Sequence, residues 1–283
     1  MTIFVFPGQG SQKKGMGEGM FEKYPELTQK ADAILGYSIQ ELCLNDPLEQ
    51  LGQTQYTQPA LYVVNALHAA QKRTENGVPA YVAGHSLGEY NALLEAQVFD
   101  FETGLKLVQK RGRLMQQATG GGMAAIIGLT TDQIKAVIAE SEWTQIEIAN
   151  YNSPLQTVIS GEKTQIESSL AVFKAAGARL VVPLNVSGAF HSSRMKSAQE
   201  EFAQFLTQFE FQTPQIPVFS NVTAELYPDA ASVPSLLAQQ ITSSVRWTEI
   251  ITTLLDLGQE TFEEAGPGQV LSGLLKAIRK DRA

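Results

Sequence analysis

Apolar residues along the chain switch several times between strand-like runs and helical spacing, and the switches mark out its elements. Residues 2–6, TIFVF, form a continuous apolar run stopped by Pro7 and Gly8, which predicts a short buried strand. The stretch 56–73 is helical in pattern after Pro59. Residues 79–97 read as a short strand, a glycine-bounded turn and a helix, and 102–118 as a further helix. TGGG at 119–122 then breaks the pattern.

Beyond the break the order changes. A strand at 123–129 precedes a helix at 131–141, with Thr130, Thr131 or Asp132 available as its cap. Strands at 146–150 and 156–161 flank the turn YNSPL, and a helix at 163–177 ends on a glycine before a strand at 178–186. The order β-α-β-β-α-β is the split unit of a ferredoxin-like fold. It is self-contained, which predicts a small subdomain, 122–186, inserted into a larger α/β one made of 1–121 and 187–283. In the last segment a helix after AFHSSRM, a strand at 216–222, helices near 232–242 and 247–257, a strand at 260–266 and a helix at 268–280 are expected. The two outer segments would share one mainly parallel sheet covered by helices.

Composition removes several classes of function. The 283 residues, 43% of them hydrophobic, suffice for a sizeable core in one large domain or two. No apolar run reaches the roughly 18 residues that would span a membrane. The N-terminus has neither a basic region nor a small-residue cleavage pattern, so no signal peptide is expected. A net charge of −8 without a basic stripe argues against nucleic acid. The single cysteine, Cys43, lies between Leu42 and Leu44 and reads as a packed thiol; a lone cysteine fits the cytoplasm. Three histidines and one cysteine give no zinc-spaced cluster, so no metal is expected.

The candidate chemistry begins at AGHSLGEY, 83–90, where Ser86 occupies the G-x-S-x-G of a strand–turn–helix nucleophile elbow. Such an elbow also directs the backbone N–H of the next residue, Leu87, toward an acyl oxygen. A bland reading, Ser86 as a helix cap, is weaker in this context. A serine nucleophile needs a base. His85 adjoins Ser86 and should point away from it, and His68 lies within an amphipathic helix. His191, in SGAFHSS between a strand and a helix, remains as the base. No acid is evident to orient it. Over 104–115, Leu105, Leu107, Val108, Gly112, Leu114 and Met115 share one half of the helical wheel, while Lys106, Lys110 and Arg113 share the other. Arg111 sits in the middle of the apolar half. It is either paired with a buried acid or, as the nearby elbow favours, a clamp for a substrate carboxylate. In PGQGSQ, 7–12, two glycines flank Gln9, whose amide is a candidate second oxyanion donor. No phosphate-loop pattern is present there.

Together FPGQGSQ, GHSLGEY, QKRGRLM, ANYNSP, GAFHSS, SNVTA, VRW and GPGQVLSGLL resemble one family along almost the whole chain, the malonyl-CoA:acyl-carrier-protein transacylases. The resemblance implies an α/β-hydrolase-like core with a ferredoxin-like insertion. It implies Ser86 as acyl-accepting nucleophile, His191 as base, Arg111 as carboxylate clamp, and the backbone amides of Gln9 and Leu87 as oxyanion donors. Gln240 matches a residue whose backbone carbonyl holds the histidine. His85, Asn152 and Phe190 fall in the substrate pocket, and Leu87 with the run Ala189–Ser192 resembles malonyl-selective members. The implied substrates are malonyl-CoA and a phosphopantetheinyl acyl carrier protein, with no cofactor and a monomeric enzyme. The stretch 35–67 is especially similar to discrete acyltransferases acting in trans on polyketide synthases. An acidic carrier would need basic residues to dock on, the candidates being Lys13, Lys14, Lys276, Arg279 and Lys280.

Overall fold

The computed structural model describes residues 2–282. Its eight strands are β1 (Thr2–Phe6), β2 (Tyr81–Gly84), β3 (Gly121–Ile127), β4 (Ile146–Ser153), β5 (Gln156–Glu162), β6 (Leu180–Pro183), β7 (Val218–Phe219) and β8 (Thr261–Glu264). They form two four-stranded sheets, ordered β7-β2-β1-β8 and β4-β5-β3-β6. The first is parallel throughout and takes strands from both ends of the chain. The second is antiparallel. Its helices, Thr131–Ala139 and Lys163–Ala175, complete the expected β-α-β-β-α-β unit, so the fold is an α/β-hydrolase-like core carrying a ferredoxin-like subdomain.

The alternation of side chains along β1 explains why its whole length is apolar. Phe4 and Phe6 enter one core beneath the helices Thr54–Asn76 and Phe101–Gln117, whereas Ile3 and Val5 enter a second core with Trp247 and Leu271. A strand covered on both faces has no polar side to display. In the small sheet, Ala124 and Ile126 of β3 pack beneath the small sheet's own helices. Met123 and Ala125, on the opposite face, join the large core. That second face roofs the carboxyl ends of β1 and β2. Tyr151 donates its N–H to the Val245 carbonyl and Val245 to that of Ala149, tying β4 to the body below.

Three expectations need correction. Between the first loop and residue 56, where no element is expected, the chain forms the helices Met20–Lys23, Pro25–Leu35 and Ile39–Leu44. The four- and six-residue helices are too short to develop a periodicity, whereas Pro25–Leu35 does carry a stripe of Leu27, Ala31, Ile34 and Leu35. Local signals bound them instead: Pro25 opens one, Gly36 at φ 80° closes it, and the Ser38 hydroxyl caps the next through Glu41 N–H. The helix expected after Pro59 begins at Thr54 and carries Pro59 inside it. The strand expected over 216–222 shrinks to Val218–Phe219. Asn221 leaves the ladder because its backbone and side chain bond elsewhere, as described below. No helix among the described residues is long and apolar enough to cross a membrane.

Candidate active site

The loops that leave β1 and β2 meet at the carboxyl edge of the parallel sheet, where open α/β sheets hold their ligands. Ser86 stands on the β2 turn at φ 51°, a left-handed conformation that a non-glycine residue adopts only under tight local constraint. Two glycines make the turn possible by close approach. A Cβ on Gly84 would lie 1.9 Å from the Gly88 carbonyl carbon, and one on Gly88 would lie 2.0 Å from the Phe6 oxygen. Asn221 ties the turn from beneath: its Oδ1 accepts from Ser86 N–H at 2.6 Å and its Nδ2 donates to the Gly84 oxygen at 2.7 Å. The backbone amides of Gln9 and Leu87 find no acceptor among the described residues. Gln9 is anchored by its side chain, which donates to Thr54 Oγ1 at 3.2 Å.

His191 Nε2 lies 2.8 Å from Ser86 Oγ. Its Nδ1 faces two backbone carbonyls, Gln240 at 2.9 Å and Ser243 at 3.1 Å. Carbonyls only accept, so Nδ1 carries the hydrogen and Nε2 is left bare toward the serine hydroxyl. His191 is itself left-handed, at φ 57°, and its N–H is tied to the Ile241 oxygen. Burial, and next the Arg111 charge, pull the imidazole down to about 3. The ring is therefore neutral, the form a base requires.

Arg111 is 1% exposed. Its Nη2 donates to Ser86 Oγ at 3.0 Å and to Gln240 Oε1 at 2.9 Å, and its Nη1 donates to Gln58 Oε1 at 2.9 Å. Its Nε finds no acceptor among the described residues. No carboxylate among them forms an ion pair with it. The guanidinium is thus held in place by neutral amides, with no ion-pair partner and with its Nε hydrogen unbonded, beside Ser86 Oγ. Ser86, His191, Arg111, Gln9, His85 and Phe190 line one cavity of about 80 Å³, roofed by Met123 and Leu184. His85, on the wall of this cavity, holds Asn152 Oδ1 with its Nε2 at 2.8 Å and packs in a T-shaped arrangement with the Trp247 ring. Of the five basic residues named for docking, Lys13 and Lys14 are exposed just beyond the Gln9 loop. Lys276, Arg279 and Lys280 ride the helix Val270–Arg282, whose end returns to the start of β8, where Arg279 bonds the Glu260 carbonyl. That is the opposite edge of the sheet from Ser86.

The acyl transferase domain model matches residues 3–281 of this chain. The chain belongs to the acyl transferase family. It is 53% identical to the polyketide biosynthesis malonyl CoA-acyl carrier protein transacylase PksC of Bacillus subtilis (strain 168), across 99% of this chain and 98% of that one. It is 51% identical to the polyketide biosynthesis protein PksE of the same organism across 99% of this chain, but there it spans only 37% of the relative's length. Among solved structures, the malonyl CoA-acyl carrier protein transacylase of Burkholderia pseudomallei superposes with a TM-score of 0.96 at 50% identity, covering 99% of this chain and 98% of that one.

Three contributors to this acyl transferase site escape the sequence reading. Asn221 lies 135 residues from the turn it braces, and in the sequence it passes for a strand residue. Gln58 is a single amide within a long helix. Glu89, three residues after Ser86, looks like a first-turn acid on a solvated helix face. It is in fact fully buried.

Proposed function

We propose that this acyl transferase moves a malonyl group from malonyl-CoA to the phosphopantetheine thiol of an acyl carrier protein through a malonyl ester of Ser86. The unspent charge of Arg111 next to Ser86 Oγ carries this reading, because a guanidinium so placed selects an acyl group with a carboxylate at its far end. The proposed setting is a polyketide synthase served in trans, which the likeness to PksC supports.

His191 Nε2 takes the Ser86 hydroxyl proton as Oγ attacks the thioester carbonyl. The backbone amides of Leu87 and Gln9, without other acceptors, are placed to receive the oxyanion. His191 then protonates the departing coenzyme A sulfur, leaving the malonyl ester. The carrier thiol enters by the same path: it yields its proton to His191, attacks the ester, and Ser86 Oγ recovers the proton. Coenzyme A is a substrate here, and no cofactor is required. The Arg111 charge depresses His191 in the free enzyme, so pairing with the malonyl carboxylate relieves that field and makes the imidazole a stronger base when the right substrate is bound. Lys13 and Lys14 are the proposed contacts for an acidic carrier.

The test is acyl transfer from a panel of acyl-CoAs, with carrier protein and with water as competing acceptors. Malonyl transfer to the carrier should dominate. Release mainly to water would make the protein a hydrolase of the same fold.

A further inference from the structure

Behind the reacting groups lies a buried acid that the transfer steps leave unused. The Glu89 carboxyl is fully buried, and two of its three partners, Gln240 and Asn221, hold parts of the site. Its Oε2 accepts from Gln240 Nε2 at 2.5 Å and from Asn221 N–H at 3.2 Å, while its Oε1 accepts from the Tyr227 hydroxyl. Gln240 links Glu89 to everything else: its Oε1 accepts from Arg111, its Nε2 also donates to the Ser86 carbonyl at 3.0 Å, and its backbone carbonyl holds His191. Glu89 and Arg111 are therefore acid and base separated by one amide side chain. A direct ion pair would satisfy Arg111 and silence it toward substrate. One amide between them keeps the counter-charge close while leaving the guanidinium open.

We propose that Glu89 is the exchangeable counter-charge of Arg111, able to ionise near neutrality while Arg111 is free and held protonated once the carboxylate of a bound acyl group takes its place. This inference rests on the transfer reaction proposed above. Two carboxylates around one buried guanidinium leave a net negative charge in a site that excludes water, and binding a proton is the least costly relief. The proton comes from solvent, at most one per malonyl group held and about half of one at pH 7, and settles on Glu89 Oε1. From there it donates to the Tyr227 oxygen, whose own hydrogen turns away. The charged and titratable groups facing Glu89 are Arg111 from the helix Phe101–Gln117, Tyr227 from the loop after β7, and its neighbour Tyr90. Both tyrosines are pushed up by burial, leaving Glu89 as the group able to respond near neutrality. Burial likewise raises Glu89 to about 7 with Arg111 unoccupied, so a second carboxylate drives it into the protonated form at that pH.

The experiment mixes enzyme with malonyl-CoA, without carrier, in weak buffer at pH 7 with an indicator dye, and quantifies the Ser86 ester by intact mass. Acetyl-CoA is the control, since it releases the same thiol. Malonylation should take up a substantial fraction of a proton per ester and acetylation none. Glu89→Gln, whose carbonyl can face Gln240 and Asn221 while its NH2 meets the Tyr227 oxygen, keeps each contact and should abolish the uptake. Equal uptake from the two acyl donors, or unchanged uptake in Glu89→Gln, overturns the proposal. If the variant does not fold, the wild-type comparison decides alone. Absence of any malonyl ester would instead overturn the transfer reaction itself.

Discussion

Arg111 Nη2 lies 3.0 Å from Ser86 Oγ, so the proposed clamp for the acyl group's carboxylate touches the atom proposed to receive that group. The helix Phe101–Gln117 supplies this contact because Arg111 shares its buried stripe with Leu107, Leu114 and Met115. The two neutral amides of Gln58 and Gln240 fix the guanidinium without cancelling its charge. In the proposed reaction, recognition and chemistry share the one cavity that Ser86, His191 and Arg111 line.

Arg111→Ala should separate them. Losing a buried charge-assisted pair with the substrate carboxylate costs about 3 kcal/mol, or roughly a hundredfold in malonyl acylation rate. Acetyl acylation should be spared or improved. The check is the ratio of the two acylation rates; equal losses for both donors would reduce Arg111 to a structural residue.

His191 should stay neutral across the physiological range. Nitrogen NMR of the labelled protein is expected to show the Nδ1–H tautomer unchanged from pH 8 to pH 5, since the folded ring titrates near 3. A midpoint near the usual histidine value of about 6.5 would contradict the buried geometry.

The same shifts set how stability responds to acid. Folded His191 refuses a proton that the unfolded chain accepts below about 6.5, so its contribution is lost as pH falls. Glu89 acts in the opposite direction: folded it keeps a proton up to about 7, whereas unfolded it does so only to about 4.5, so its contribution is lost as pH rises between them. Glu89→Gln should therefore gain on the wild type by something on the order of 3 kcal/mol between pH 4.5 and pH 7. Urea unfolding at several pH values measures the difference, and a pH-independent gap would contradict the assignment.

Much of this was legible in the sequence, where chemistry and periodicity coincide locally. β1 announces itself as an unbroken apolar run, and Arg111 as a charge on an apolar stripe. The elbow is visible because nucleophile, glycines, strand and helix lie within one short stretch. Asn221 and Gln240 were illegible from the pattern of residues because their work is done by contacts across more than a hundred residues. An amide side chain has no periodic signature. Glu89 failed for another reason: its spacing suits a solvated helix face, and only the packing of Tyr227 and Asn221 over it makes it buried. The four- and six-residue helices before residue 45 are hidden because turns and caps, not hydrophobic repeats, set their limits, whereas Pro25–Leu35 carries a repeat of its own.

Asn221→Ala should loosen the elbow without touching substrate. It strands the Ser86 N–H and the Gly84 carbonyl, a cost of about 2–4 kcal/mol for two buried groups. A fall in melting temperature together with slower acylation is expected for malonyl and acetyl donors alike. A selective loss of malonyl transfer would place Asn221 on the substrate side of the site.

Gly84→Ala should not yield folded protein, because its Cβ would lie 1.9 Å from backbone that has no room to retreat. Soluble, active Gly84→Ala would show that the turn is less tightly closed than these distances require.

The proposed reaction has Ser86 receive a malonyl group selected by Arg111. Its most direct test is intact and peptide mass spectrometry of native protein mixed with malonyl-CoA in the absence of carrier. A malonyl adduct confined to the Ser86 peptide, absent in Ser86→Ala and strongly reduced in Arg111→Ala, is the predicted result. No adduct on native protein, or an adduct formed equally well without Arg111, would contradict it.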